Sequence, residues 1–164
     1  MNLLSWNCQG IGGPWTVRKI EEYLRKYQIS IIFLSETKYS SRVFQFLKNK
    51  LDIFGVDVPS VGRSGGLMLL WRKDLTVQLK SYSANHIDAD IYLGQGVDRW
   101  RLTGYYGEPY ANRRKESWNK LIRLSRDSTT PWICLGDYNE ILSHQEKLEM
   151  LDQIGRCRPS VSVI

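Results

Sequence analysis

Asp137 and Asn139 follow the run Trp132-Ile133-Cys134-Leu135-Gly136. The apolar residues after Pro131 predict a buried strand, and Gly136 breaks the run before a carboxylate, a phenol and an amide. A strand end is a rigid place to hold polar groups in a cleft. Two residues apart on extended backbone, Asp137 and Asn139 would point to one side. One could then bind a cation or position a nucleophile while the other donates a hydrogen bond. Asn7 closes a second strand-like run from Met1, and Glu36 closes a third from Ile29. Tyr105 and Tyr106 close a fourth. As neighbours on a strand they face opposite ways, so only one of them can reach a shared cleft. Singly, each residue has a plainer reading. Asn7 could cap a turn, Glu36 could be an exposed strand-end acid, the tyrosines could pack, and Asp137 with Asn139 could close a loop. Together they offer acids and amides at several strand ends.

The elements that must position them follow from hydrophobic period. After the first strand, Gly12-Gly13-Pro14 predicts a turn and Thr16 a helix cap, with Val17, Ile20, Leu24 and Tyr27 on one helical face. Strand, helix, strand implies a crossover unit. Gly10 and Gly12 begin a dinucleotide-binding pattern, but Trp15 stands where the third glycine is needed. A second helix is expected from Ser40 or Ser41 to Lys50, with Val43, Phe46, Leu47 and Leu51 inward. Short strands follow at Ile53 to Val58 and Leu67 to Trp71. Val77, Leu79 and Ser81 predict a strand with one wet face. Ile87, Ala89 and Ile91 alternate with Asp88 and Asp90, Gly94-Gln95-Gly96 predicts a hairpin, and Trp100, Leu102 and Gly104 continue the meander. A third helix is expected from about Arg113 to Ser125, with Trp118, Leu121 and Ile122 inward. Its Arg113-Arg114-Lys115 start opposes the helix dipole, which suits either a solvated face or phosphate contact. The tail from Asp152 to Ile164 has no clear period.

The chain has 164 residues, a size that suggests one domain with a real core. Hydrophobic content of 42% and mean hydropathy of -0.37 fit a soluble globular protein. No apolar run is long enough to span a membrane and no signal-peptide pattern opens the chain. Three cysteines without a CxxC pattern exclude a disulfide scaffold and favour a reducing compartment. The expected location is therefore intracellular, nuclear or cytoplasmic, and not secreted. A net charge of +6 is compatible with a polyanionic partner and with an ordinary basic surface.

Trp6-Asn7-Cys8-Gln9-Gly10, Ser35-Glu36-Thr37-Lys38 and Gly136-Asp137-Tyr138-Asn139-Glu140, in that order, resemble the endonuclease/exonuclease/phosphatase family. The nearest resemblance is to its abasic-site-endonuclease-like branch in plant LINE-type retrotransposons. It runs to about Lys147, which divides the chain into a partial family domain, 1–147, and a divergent tail, 148–164. It implies a two-sheet α/β sandwich of the DNase I-like type, incomplete at the C-terminus, with an exposed strand edge and an uncovered apolar face. The implied activity is Mg²⁺-dependent hydrolysis of DNA phosphodiesters, with Mn²⁺ as a possible substitute. Glu36 and Asn7 would serve the metal, while Asn7, Tyr106, Asp137 and Asn139 would be catalytic. DNA is the implied partner; neither a membrane nor a protein partner is indicated.

The family completes its site with a later Asp and a Ser-Asp-His-type ending. No Asp-His pair occurs in this chain. Loss of an acid–base group costs roughly 10²–10⁴ in rate, so weak or absent activity is expected. The rival expectation is a non-catalytic nucleic-acid-binding or residual mobile-element fragment. A small-molecule phosphatase of the same family is disfavoured by the positive charge. His86 and His144 lie in no motif that needs a histidine.

Overall fold

The computed structural model describes residues 1–39, 41–62, 64–94, 98–126, 130–139 and 161–163. In chain order these hold β1 (Asn2–Asn7), α1 (Pro14–Tyr27), β2 (Ile29–Ser35), α2 (Ser41–Leu51), β3 (Ile53–Val58) and β4 (Leu67–Arg72). Then come β5 (Thr76–Ser83), β6 (His86–Tyr92), β7 (Arg99–Tyr106), α3 (Arg114–Arg126), β8 (Trp132–Asp137) and β9 (Val161–Val163). They form two sheets, ordered β3-β4-β2-β1-β9 and β5-β6-β7-β8. Both are mixed: β1 with β2 and β7 with β8 are parallel, and the remaining pairs are antiparallel. This is the DNase I-like α/β sandwich. None of the helices among the described residues is long and apolar enough to cross a membrane.

The layers follow from strand alternation. All seven residues of β2 are buried because both faces of that strand are covered. Ile32 and Leu34 join Leu4, Trp6, Ile20 and Leu47 under the helices α1 and α2. Ile31 and Phe33 meet Ile87, Ala89 and Leu102 of the second sheet. Each such full burial contributes about 1.5–3 kcal/mol. Gly104 lets the sheets approach, since a Cβ there would lie 2.1 Å from the Phe33 ring. On its outer face the second sheet meets α3 through a buried polar network. Arg101, 1% exposed, donates to both oxygens of Asp88 and to the Leu124 carbonyl. Thr103 donates to Asp88 and accepts from the Trp132 indole.

Several expectations are corrected. Gly13, not Thr16, stands at the cap of α1, and Pro14 takes the first helical position, where no N–H is needed. Thr16 is buried and donates to the Gly10 carbonyl. On α2 the buried aromatic is Phe44, with Phe46 53% exposed; a helical face can extend to either flank, and Phe44 is the one that joins the core cluster under the helices. On α3 Leu124 is buried, whereas Ile122 and Trp118 remain partly exposed, Trp118 with its ring against Tyr138. Asp88 and Asp90, which alternate with the apolar residues of β6, are buried as well, and Arg101 neutralises Asp88. The strand β8 is not buried throughout. It ends its sheet among the described residues, with only Leu135 fully covered. The period-free tail contributes β9, which covers the edge of β1. The hairpin tip at 95–97 lies outside the described residues.

Candidate active site

The two parallel pairs explain where polar groups can meet. In a parallel pair both C-terminal ends lie at the same edge. Register pairs Asn7 with Ser35, just before Glu36, and Tyr106 with Asp137. With one such pair in each sheet, four strand ends open onto one side of the sandwich. Asn7 Nδ2 donates to Asp137 Oδ2 at 2.8 Å and to Glu36 Oε1 at 3.3 Å, so one amide joins carboxylates from both sheets. Tyr106 donates its phenol to Glu36 Oε1 at 2.7 Å. Tyr105 faces the other way and donates to the Ser117 carbonyl on α3. Of the two tyrosines, then, Tyr106 is the one in the cluster.

Asn139 does not continue an extended strand beside Asp137. Its φ is +51°, and its backbone N–H donates to Asp137 Oδ1 at 2.9 Å, closing a turn on the side chain two residues back. Its own amide donates to the Gly107 carbonyl. Both Asp137 oxygens are thereby held. Gly136, at φ +145°, is required because a Cβ would lie 1.8 Å from the Tyr105 carbonyl oxygen. Behind this turn Tyr138 stacks between Tyr105 and Trp118, at centroid distances of 5.9 and 6.4 Å. The helix α3 thus braces the ends of both β7 and β8.

Lys38 is the residue that sequence reasoning missed. Its ammonium lies 3.0 Å from Glu36 Oε2. The signal was present in Ser35-Glu36-Thr37-Lys38, as an acid and a base two residues apart, but only the loop geometry brings them together. Gln9, Glu36 and Lys38 join Asn139 with positive φ, between +48° and +52°. For residues with a Cβ this backbone costs about 1–2 kcal/mol each, less for Asn.

Burial opposes ionisation of Glu36, but the hydrogen bonds from Tyr106, Lys38 and Asn7 outweigh it and hold the carboxyl below its ordinary range. Burial pushes the Tyr106 phenol well above its usual range, and the Glu36 carboxylate adds to this, so Tyr106 remains a donor. Burial raises the Cys8 thiol to about 11, which leaves it unreactive. His86 lies outside the cluster, between Ser81 and Ser83. Burial, with Lys120 nearby, pulls its ring down to about 4. His144 lies outside the described residues.

Among the described residues no three His, Cys, Asp or Glu side chains converge to hold an ion. Mg²⁺ does not require three, since it keeps several waters and takes one or two carboxylates. Glu36 supplies a hard carboxylate donor of that kind, with the Asn7 amide beside it. A concavity of about 690 Å³ elsewhere is lined by Glu21, Arg25, Lys50, Asp52 and Arg72. It lies at the opposite end of the first sheet and holds no comparable set.

The sequence model of the endonuclease/exonuclease/phosphatase family matches residues 4–160. The chain belongs to this family. Solved structures share its fold at low identity. The endonuclease domain of TRAS1, a telomere-specific non-LTR retrotransposon, superposes with a TM-score of 0.66 at 14% identity, covering 94% of this chain and 69% of that one. An AP endonuclease from Archaeoglobus fulgidus gives 0.64 at 17% identity, covering 88% and 59%. The 3′ phosphatase NExo from Neisseria, bound to a product DNA hairpin, gives 0.67 at 16% identity, covering 88% and 60%. The chain thus spans about three fifths of the length of the latter two. No curated protein matches it in sequence.

Proposed function

We propose that the chain is a nuclease-type phosphodiesterase domain acting on DNA with Mg²⁺, or Mn²⁺ in its place. We assign it to the kind of domain carried by plant LINE-type retrotransposons. Work on DNA would place it in the nucleus or cytoplasm. One observation carries the reading: the Asn7 amide ties Glu36 of one sheet to Asp137 of the other. The likeness to TRAS1 supports the retrotransposon assignment.

In this reading Glu36, aided by Asn7, holds the ion. When bound, the divalent ion neutralises charge on the phosphoryl oxygens and stabilises the leaving oxygen. Asp137, fixed at both oxygens, orients the attacking water and accepts its proton. Tyr106 donates its phenol to a phosphate oxygen, and Asn139 turns its amide to another. Asp137 is already fixed in place, whereas Tyr106 would release Glu36 and Asn139 would release the Gly107 carbonyl to reach the phosphate.

The test is nicking of supercoiled plasmid in Mg²⁺ and in EDTA, for the native chain and Glu36→Gln. Nicking that needs the metal and is lost in the variant supports the proposal. Metal-independent nicking, or nicking unaffected by Glu36→Gln, refutes it. A second reading, nucleic-acid binding without cleavage, draws on the Lys38 ammonium that already occupies Glu36. Salt-sensitive DNA binding with no nicking would select it.

A further inference from the structure

We infer that Lys38 is a tethered cation that couples metal binding to DNA binding; this deepens the proposed reading of the site and rests on it. Lys38 Nζ lies 3.0 Å from Glu36 Oε2, while Glu36 Oε1 receives Tyr106 and Asn7. Of the two Glu36 oxygens, Oε2 is therefore the one that a divalent ion would take from Lys38. The loop is built to hold this pairing. Both Glu36 and Lys38 adopt left-handed backbone, at φ +51° and +52°. Thr37, between them, is buried. Thr37 N–H donates to Gly66, Lys38 N–H to Gly65, and the Thr37 carbonyl accepts from Ile11. Three backbone hydrogen bonds thus fix a strained turn that aims an acid and a base at the same place.

The pair has a thermodynamic consequence. Lys38 neutralises a carboxylate that would otherwise face Asp137 across a single amide. A divalent ion held by Glu36 would have to compete with that ammonium and would repel it. The Lys38 side chain is 36% exposed, so it is free to turn toward the cleft mouth. The anion available there in the proposed reaction is a phosphodiester. Lys38 therefore weakens metal binding to the free protein, and DNA removes that penalty by giving the ammonium a new partner. By linkage, the metal strengthens DNA binding by the same factor. A partly exposed ion pair of this kind corresponds to about a two- to fivefold effect on the metal dissociation constant.

The experiment is Mn²⁺ titration of the whole chain, following free Mn²⁺ by electron paramagnetic resonance. It is run with and without a non-cleavable phosphorothioate duplex, after subtracting Mn²⁺ bound by the duplex alone. Expected is a tighter Mn²⁺ constant when DNA is present for the native chain. Lys38→Met should bind Mn²⁺ about two- to fivefold more tightly without DNA and show a DNA enhancement smaller by the same factor. Lys38→Gln should match it, Lys38→Arg should retain the coupling, and far-UV circular dichroism checks folding of each. Unchanged affinity and unchanged enhancement in both neutral variants, with Glu36→Gln abolishing Mn²⁺ binding, would overturn the coupling and leave the metal reading standing. Mn²⁺ binding insensitive to Glu36→Gln would overturn both.

Discussion

Tyr106→Phe removes one oxygen and keeps the ring that packs between the sheets beside Phe33 and Leu135. What it deletes is the 2.7 Å bond to Glu36 Oε1. A hydrogen bond to a charged acceptor contributes about 1.5–3 kcal/mol when buried. The Glu36 side chain is 20% exposed, and screening reduces the expected loss to about 1 kcal/mol at neutral pH. The loss must depend on pH. Burial pushes the Glu36 carboxyl upward, but Tyr106, Lys38 and Asn7 hold it below its ordinary range. A depressed carboxyl contributes stability that is fully present above its unfolded value, about 4.3, and is lost as pH falls through the lower folded value. Without the phenol the folded value rises and this contribution shrinks. Urea unfolding should therefore separate the two proteins by about 1 kcal/mol at pH 7 and by less at pH 3. A carbon-detected NMR titration should find the Glu36 carboxyl higher in the variant. An equal gap at both pH values, together with an unmoved Glu36, would refute the reasoning.

Other expectations follow from the same structure. Arg101→Met strands the buried Asp88 carboxylate and should cost about 3–5 kcal/mol in urea unfolding; adding Asp88→Leu should recover part of it. Gly104→Ala drives a methyl into the Phe33 ring and should cost about 1–3 kcal/mol, relieved in part by Phe33→Leu. His86 is held neutral, with its ring near 4 in the fold and about 6.5 when unfolded. Its contribution is full above pH 6.5 and is lost as pH falls toward 4. The stability of His86→Gln should accordingly vary less between pH 6.5 and 4, as measured by thermal melts across that range.

The elements were largely legible because each is periodic over several residues. The crossover from β1 through α1 to β2 appears with the expected parallel pairing. The strands β5, β6 and β7 form the expected meander. Faces were harder to read. Phe44 and Phe46 are equally apolar, and only the packed core, which takes in Phe44, decides between them. The alternation of Asp88 and Asp90 with Ile87, Ala89 and Ile91 does not reveal that a later helix will meet the acidic face through Arg101. The Asp137–Asn139 spacing suggested extended backbone, yet the Asp137 side chain captures the Asn139 N–H and turns the chain. Local capture of this kind competes with strand continuation, and spacing alone cannot rank the two.

By itself the sequence determined the residue types at the strand ends and, through three ordered motifs, the family. Those follow from local pattern, which is written along the chain. The tertiary structure alone decided which atoms meet. Asn7 and Asp137 are 130 positions apart and touch only because a parallel pair in each sheet brings its C-terminal ends to the same side. It also decided that Tyr106 rather than Tyr105 faces Glu36, and that Lys38 already sits on that carboxylate. Contacts of that kind depend on sheet packing and strained loop backbone, neither of which is a property of any short stretch of sequence.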